Sequence, residues 1–300
     1  MTPPNCTVLA VTFHPGPTLR DFLTSLADAG PIAEIVLADN DERGELDETM
    51  AAVRDRPGVR VTRSGANIGY GAAVNLAMST VRSDFVLICN PDVIFEPDSV
   101  TTLLAATQRW PRAGSFGPLI RTAGGQVYPS ARALPSLGRG IGHALCGWWW
   151  PSNPWTVAYR NERGEPSEGP VGWLSGACLL VRRAAFVEIC GFDPGYFMYF
   201  EDVDLGARLG AAGWQNVYIP QAVVTHTGAH ATSRAPQRMA TEHHRSAWRY
   251  LSRRYRGVGW APVRAVLHLG LVARAALARR RPAIASGARP NRVGPSRAPH

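Results

Sequence analysis

The sequence predicts an α/β fold from three observations: short β-rich runs alternate with helical stretches through the first hundred residues, polar residues stand directly beyond two of those runs, and a basic helical segment follows at the far end. Such alternation is the pattern of a parallel sheet with crossover helices. A chain of 300 residues with 45% hydrophobic content can bury a substantial core, which excludes disorder throughout.

Taken in order, the β-branched and apolar runs predict strands at Thr7–Phe13, Glu34–Asp39, Val59–Arg63 and Phe85–Cys89. Between them, Thr18–Ala29 reads as a helix because Leu19, Phe22, Leu23 and Leu26 fall on one face, and Gly71–Val81 reads as a second. Asp39 and the trio Asn90-Pro91-Asp92 therefore lie just past the carboxyl ends of strands, where open α/β sheets bind ligands. From Val127 to Gly172 the chain is rich in Pro, Gly and Trp and predicts long loops. Regularity resumes with a strand at Ala177–Arg182, a helix at Val203–Ala212 and a strand at Asn216–Ile219. Helical patterns at Gln237–Tyr255 and Pro262–Arg280 precede a Pro, Gly, Arg and Ser tail of disordered composition. The expected organisation is an α/β domain over residues 1–231, a basic amphipathic helical extension over 232–281 and a disordered basic tail over 282–300.

The net charge of +9 is unevenly placed. Up to Ala231 there are 17 Arg against 22 acidic residues, a balance of −5, whereas from Thr232 onward 15 Arg face Glu242 alone, a balance of +14. Such a block attracts anionic lipid or nucleic acid, and no recognisable nucleic-acid motif accompanies it. The apolar stretch Ala261–Ala278 is broken by Arg264, His268 and Arg274, so it does not read as a membrane span. Met1–Asn5 has no basic n-region of a signal peptide, and the expected location is cytosolic. On a helical projection Arg264, His268, Arg274 and Arg279 share one side, and Val266, Leu269, Ala273 and Leu277 the other. This pattern predicts a helix lying on an anionic membrane surface, with Trp248 and Trp260 as anchors; the alternative is packing on the α/β domain. The five cysteines, Cys6, Cys89, Cys146, Cys178 and Cys190, form no CxxC or zinc spacing and are expected to be reduced core residues.

Five groups of residues hold types suited to chemistry. Asp92, beyond the apolar strand FVLIC, is placed to hold a hard divalent cation, or alternatively to form an Asx-type turn. Glu201, Asp202 and Asp204 precede the run Leu205, Leu209, Ala212, where the structural alternative is helix capping by Asp202. The aromatic approach Tyr196 to Phe200 would wall these acids with apolar surface and raise a carboxyl pKa towards that of a general base. The turn Ser64-Gly65-Ala66-Asn67-Ile68-Gly69-Tyr70-Gly71 allows close backbone approach to a phosphate or nucleoside, and differs from the dinucleotide pattern G-x-G-x-x-G. His226, near His230, is a candidate metal ligand or a structural residue, and Trp148, Trp149, Trp150, Trp155 and Trp173 are candidate sugar platforms or core.

In this order, VTFHPG, LADN, GANIGYGAAVN, CNPDV, PVGWLSGACLLVRR and GYFMYFEDVDLGARLGAAGW followed by VVTH resemble the family 2 inverting glycosyltransferases with the GT-A fold, a Rossmann-like mixed sheet that binds nucleotide-diphospho-sugars. The likeness covers Thr7 to His226. Within the family, RWPRAG, GPLIR, VYPSAR and NPWT resemble the actinobacterial enzymes that transfer L-rhamnose from dTDP-L-rhamnose to polyprenyl-diphosphate-GlcNAc in cell-wall linker synthesis. The resemblance implies that Thr12, Asp39, Asn67, Gly69, Asn90 and Asp92 bind the donor. It implies that Asp92 and His226 hold Mg2+ or Mn2+, with Asn90 replacing the first acid of the family's D-x-D. Asp202 matches the catalytic base and Trp173 lies in the acceptor-side loop, while Glu201 and Asp204 are expected to orient the acceptor or hold the loop. His14 stands where the family usually has Asn after the first strand. The expected partners are the nucleotide sugar, a polyprenyl-diphosphate-linked acceptor and the inner face of the cell membrane, with no nucleic acid. Two alternatives stand beside this expectation: transfer of galactofuranose or a hexose from a UDP donor, and a catalytically dead binding protein acting through its Arg-rich tail.

Overall fold

A computed structural model describes residues 5–42, 48–135, 166–228 and 236–280. The strands expected in the first hundred residues form the parallel half of one mixed sheet. They are β1 (Cys6–Thr12), β2 (Glu34–Asp39), β3 (Val59–Arg63) and β4 (Phe85–Cys89), with β1 between β2 and β4. The chain winds outward from β1 to β2 and β3, then returns to β4 on the other side. That reversal opens a crevice at the carboxyl ends of β1 and β4.

Beyond β4 the sheet continues with β5 (Val93–Phe95), β6 (Ala113–Thr122), β11 (Cys178–Arg182) and β12 (Gln215–His226), in the spatial order β3-β2-β1-β4-β11-β6-β12-β5. β11 runs antiparallel to both β4 and β6, which makes the sheet mixed. Short β7 (Val127–Tyr128) and β9 (Gly169–Val171) border it, and β8 (Ala131–Arg132) pairs separately with β10 (Trp173–Leu174). The expected strand at Asn216–Ile219 is the first part of β12, which continues past an irregularity between Ile219 and Val223 to reach His226.

Helices cover both faces. On one side α1 (Thr18–Ser25) buries Leu19, Phe22 and Leu23, and α4 (Ser99–Arg109) buries Leu103 and Leu104. Between α1 and α4 in the chain lie α2 (Glu48–Val53) and α3 (Tyr70–Met78). On the other side, α3 buries Val74 and Ala77, α5 (Arg183–Glu188) buries Phe186, and α6 (Glu201–Ala211) buries Leu205 and Leu209. Each such fully buried Leu or Phe stabilises the fold by roughly 1.5–3 kcal/mol relative to an exposed one. The buried Asn216 amide donates to the Gly172 and Gly206 carbonyls, both at 3.0 Å, and so fixes α6 against the loop leading into β10.

Cys6, Cys89 and Cys178 are buried as expected, but Cys190 is exposed in the turn after α5, and Cys146 lies outside the described residues. The helical pattern after Ala231 forms α7 (Pro236–Arg254) and, past a 3₁₀ turn at Val258–Trp260, α8 (Ala261–Arg280). α7 takes the packing alternative and lies on the α/β domain. Tyr250 and Ala247 are buried, and Tyr250 clusters with Tyr196 and Val203. Trp248, expected as an interfacial anchor, is half-buried against His268 at 4.6 Å between ring centroids. The tail after residue 280 lies outside the described residues.

Candidate active site

The ends of β1 and β2 form the first wall of the crevice. Asp39 is buried, and its Oδ2 accepts from Arg63 Nε at 3.2 Å while Oδ1 accepts from the Asp41 amide at 3.3 Å. The neighbouring Asn40 ties three segments together. Its amide donates to Thr12 O at 2.9 Å, its Oδ1 accepts from Ile68 N at 3.0 Å, and its Nδ2 donates to Asn67 Oδ1 at 3.1 Å. Asp39 and Asn67 thus come to one wall as expected. Thr12 does not face the crevice, because it is fully buried and its hydroxyl donates to Ala38 O at 3.4 Å, within the sheet. His14 sits at the rim with Nδ1 3.2 Å from Asp41 Oδ2.

Gly69 has a φ of 90°, and a Cβ there would stand 2.5 Å from the Phe197 carbonyl oxygen. The glycine is required by this close approach, because an L side chain is strained at that φ and would displace the Phe197 backbone. The adjoining Tyr70 amide donates to the same carbonyl at 3.0 Å. The turn expected to approach a donor therefore also anchors the aromatic segment that leads to the three acids.

At the end of β4, Asp92 is nearly buried and its Oδ1 lies 3.1 Å from His226 Nε2. Asn90 Nδ2 is 3.2 Å from the same ring nitrogen. His226 reaches this point because β12 pairs with β5 through His226 and Val93, and Thr227 secures the strand end by donating its amide and hydroxyl to Asp92 O, each at 3.0 Å. A half-exposed imidazole facing a nearly buried carboxylate supplies two donors suited to Mg2+ or Mn2+. Among the described residues no group of three or more His, Cys, Asp and Glu gathers. This donor set leaves positions for oxygen ligands from a bound diphosphate.

The acids begin α6. Tyr199 and Phe200 have φ of 67° and 66°, and the helix opens at Glu201 without a side-chain cap. The capping alternative for Asp202 is not what forms. Its Oδ2 accepts from the Gly176 amide at 3.0 Å, across the crevice, and its Oδ1 accepts from Val203 N at 2.8 Å. Gly176 also accepts from Tyr70 Oη at 2.7 Å, and its neighbour Ala177 accepts from the Asn90 amide at 2.9 Å. Two consecutive residues thus connect Asp202 to the turn holding Asp92.

Burial raises the pKa of Asp202, and the Gly176 and Val203 amides oppose the rise. Buried Glu201 is pushed up to about 8, first by desolvation and then by the charge of Asp202. Its Oε2 has no hydrogen-bond partner among the described residues. Asp204 takes the holding role of its two expected ones: it is buried, and its Oδ2 accepts from Arg208 Nε at 2.6 Å, within the same helix. Arg208 continues to Ile189 O at 2.8 Å, so Asp204 braces α6.

Trp173 stands beside α6, half-buried, with Nε1 donating to Ala133 O at 3.2 Å. Arg132 lies 5.6 Å from that ring and its charge favours ionised Asp202. Arg132 was not singled out from sequence, although it closes the segment VYPSAR; Asn40, inside LADN, was passed over in the same way. His230, Trp148, Trp149, Trp150 and Trp155 lie outside the described residues.

Comparison with known proteins places the chain in a family. The chain is 51% identical over 284 residues to the N-acetylglucosaminyl-diphospho-decaprenol L-rhamnosyltransferase of Mycobacterium tuberculosis, covering 90% of this chain and 91% of that protein. It is 31% identical over 199 residues to rhamnosyltransferase WbbL of Escherichia coli, covering 64% of this chain and 73% of that one. Among solved structures, the mannosyltransferase PcManGT of Pyrobaculum calidifontis, in complex with GDP-Man and Mn2+, superposes with a TM-score of 0.56 at 15% identity over 92% of this chain and 76% of that one, a likeness of fold. The model for a glycosyltransferase-like family 2 matches residues 161–259, and that for glycosyl transferase family 2 matches residues 7–189. The chain, with its GT-A fold, belongs to glycosyl transferase family 2.

Proposed function

We propose that this glycosyltransferase moves L-rhamnose from dTDP-L-rhamnose to polyprenyl-diphosphate-linked GlcNAc, with inversion at the anomeric carbon. The reading of the sugar and acceptor rests on 51% identity across nine-tenths of the chain to a relative whose name states that reaction. The chemistry rests on one placement: a carboxylate held by two backbone amides, joined through Gly176 and Ala177 to the turn bearing Asp92. Asp202 takes the proton of the acceptor hydroxyl as that oxygen bonds to the anomeric carbon. The bond from that carbon to the diphosphate breaks on the opposite side, and its electron pair leaves with the nucleoside diphosphate. Asp92 and His226 would hold a divalent cation, which would supply positive charge to offset that developing on the leaving group. Asp39, Asn67 and the Asn40 network shape the nucleoside wall, and Trp173 with Glu201 faces the acceptor.

A panel of labelled nucleotide sugars with a polyprenyl-diphosphate-GlcNAc acceptor tests the assignment. Rhamnosyl product should form from dTDP-rhamnose at least about 100-fold faster than products from UDP-galactofuranose or UDP-hexoses, since a site built to pair a substrate's hydroxyls discriminates strongly. Preferential transfer of one of those sugars overturns the rhamnosyl reading, and absence of any transfer overturns the enzyme.

The surface that meets a lipid-linked acceptor is supported by α8. Arg264 Nη1 donates to Tyr255 O at 2.9 Å and to Gly257 O at 2.8 Å, while His268 stacks on Trp248. Arg264 and His268 therefore face the protein. Val266 and Leu269 are 70% and 67% exposed, and Val258 in the preceding turn is 91% exposed. No helix among the described residues is long and apolar enough to cross a membrane. An exposed apolar strip that follows the exposed Arg254 and Arg256 in the chain suits the interface of an anionic leaflet, where each Arg contributes roughly 1 kcal/mol. The intact protein should float with anionic vesicles at low salt and be released by high salt, and a variant combining V258D, V266D and L269D should stay in the pellet. Equal flotation of both proteins would rule out this surface.

A further inference from the structure

We infer that α7, which follows the last strand of the sheet, is a positioning strut for the catalytic loop, and that Arg249 is the positioning residue through which it acts. The inference deepens the proposed transfer, since it rests on Asp202 as the base. The loop in question, Asp193 to Phe200, joins the end of α5 to the acids that open α6. It ends in two consecutive non-glycine residues in the left-handed region, Tyr199 and Phe200, with φ of 67° and 66°. Residues held there cost on the order of 1–3 kcal/mol each and persist only where their surroundings over-determine them. Within the loop the Tyr196 amide donates to Asp193 O at 3.2 Å. Its own side of the crevice supplies the Tyr70 amide, which donates to Phe197 O.

Further restraint comes from α7, at the loop's first residue and at five later positions, Gly195, Tyr196, Met198, Tyr199 and Phe200. Arg249 grips Asp193 with two nitrogens, Nε at 3.2 Å from Oδ2 and Nη2 at 3.0 Å from each carboxylate oxygen, and Arg253 pairs with the same carboxylate. Asp193 Oδ1 in turn accepts from the Gly195 amide at 2.9 Å. The guanidinium lies across Gly195, in the space a side chain there would occupy, and over the Tyr196 ring with 5.3 Å to its centroid. One turn earlier on the helix, Ser246 Oγ donates to Met198 O at 2.8 Å. The His243 ring meets Tyr199 at 5.4 Å and Phe200 at 5.5 Å edge-on, and Tyr250 meets Phe200 at 5.8 Å. Both left-handed residues are therefore contacted by α7 side chains. Bidentate Arg–carboxylate pairing fixes direction as well as distance, so this clamp orients the loop and not merely its charge. Asp202 is the second residue beyond Phe200, and a rotation at Phe200 would carry its carboxylate away from Gly176. Displacements of about 1 Å in a catalytic group cost on the order of 10²-fold in rate.

The test compares R249A and R249K with the parent and with R245A, which removes an exposed charge from the same helix. Amide hydrogen exchange in the ligand-free proteins is read first. In R249A the amides of residues 195–204 should exchange at least tenfold faster, with those of β1, β2 and β4 unchanged. Turnover is then measured with whichever nucleotide sugar the parent uses, so that an error in the donor assignment leaves the comparison intact. R249A should lose at least tenfold in kcat with donor KM within twofold, R249K should fall between R249A and the parent, and R245A should match the parent. An unchanged loop in R249A, or a loss of exchange protection spread evenly over the sheet with kcat and donor affinity falling together, would overturn the inference.

Discussion

Replacing Asp202 by Asn is expected to abolish sugar transfer while leaving nucleoside diphosphate affinity within about threefold of the parent, because a base acts on the transition state and not on donor binding. General-base catalysis contributes about 10²- to 10⁴-fold, which corresponds to roughly 3–5.5 kcal/mol of barrier. The amide can still accept one of the two backbone N–H groups that now meet the carboxylate, from Gly176 or Val203, so the start of α6 stays in place. Turnover of the Asn variant within tenfold of the parent would remove Asp202 from this role. The pH profile separates it from its neighbour. Burial raises both carboxyls, but Asp202 has two amides that stabilise its charge, whereas Glu201 has an oxygen with no partner among the described residues and the charge of Asp202 beside it. The pair therefore loses its first proton from Asp202, and Glu201 keeps its own to about 8. Activity should fall as pH drops through a value above the ordinary aspartate range, where the base becomes protonated. That acid limb should persist in Glu201→Gln, while any second transition near pH 8 disappears.

Sequence periodicity was enough for the outward-winding half of the sheet. β2, β3 and β4 have the expected bounds, since each is a short β-branched or apolar run flanked by turn residues. The second half was harder to read for a physical reason. β6, AGSFGPLIRT, contains two glycines and a proline, yet it lies inside the sheet because it exchanges partners along its length, with β11, β12 and β7. α4, SVTTLLAATQR, is weak by propensity with three Thr and one Val, and is held by burial of Leu103 and Leu104. At the site, the positions Asp92, His226 and Asp202 followed from residue type and order. Which neighbours hold them did not: Gly176, Arg132 and Asn40 act through contacts made 26, 70 and 27 residues away along the chain, by Gly176 and Arg132 with Asp202 and by Asn40 with Asn67. Asp204 shows the converse. It has the same local pattern as its neighbours, and only the helix register reveals that it turns inward to Arg208. The helix at 236–254 was expected at a membrane because its charge is conspicuous in sequence, whereas its partner, the single carboxylate of Asp193, is not.

Replacing Asp92 by Ala is expected to weaken nucleoside diphosphate binding by roughly 10²-fold or more, since a divalent cation at a phosphoryl oxygen contributes several kcal/mol of charge stabilisation. His226→Ala should give a smaller defect of the same kind. An imidazole adds no formal charge to the site, and Asp92 would keep its place through the Thr227 contacts to its carbonyl. The competing account is that Asp92 and His226 are only a structural pair, 3.1 Å apart, that fastens β12 to the turn after β4. The two accounts differ in what metal removal does. A structural pair is indifferent to chelation, so parent protein treated with EDTA would keep its donor affinity, and D92A would lose thermal stability in proportion to any loss of binding. A metal-holding pair predicts that chelated parent protein and D92A bind the nucleotide equally weakly. It also predicts that Mn2+ restores binding to the parent alone, and that unfolding of the apo proteins differs by much less than their affinities. Binding read by calorimetry with dTDP, with and without Mn2+, decides between them without requiring the acceptor. The Asn at position 90 sharpens the expectation: with one carboxylate where the family has two, the site has a single negative charge to attract the cation. Removing that charge in D92A leaves only neutral donors, Asn90 and His226, so restoration by Mn2+ should be lost in that variant even at millimolar concentration.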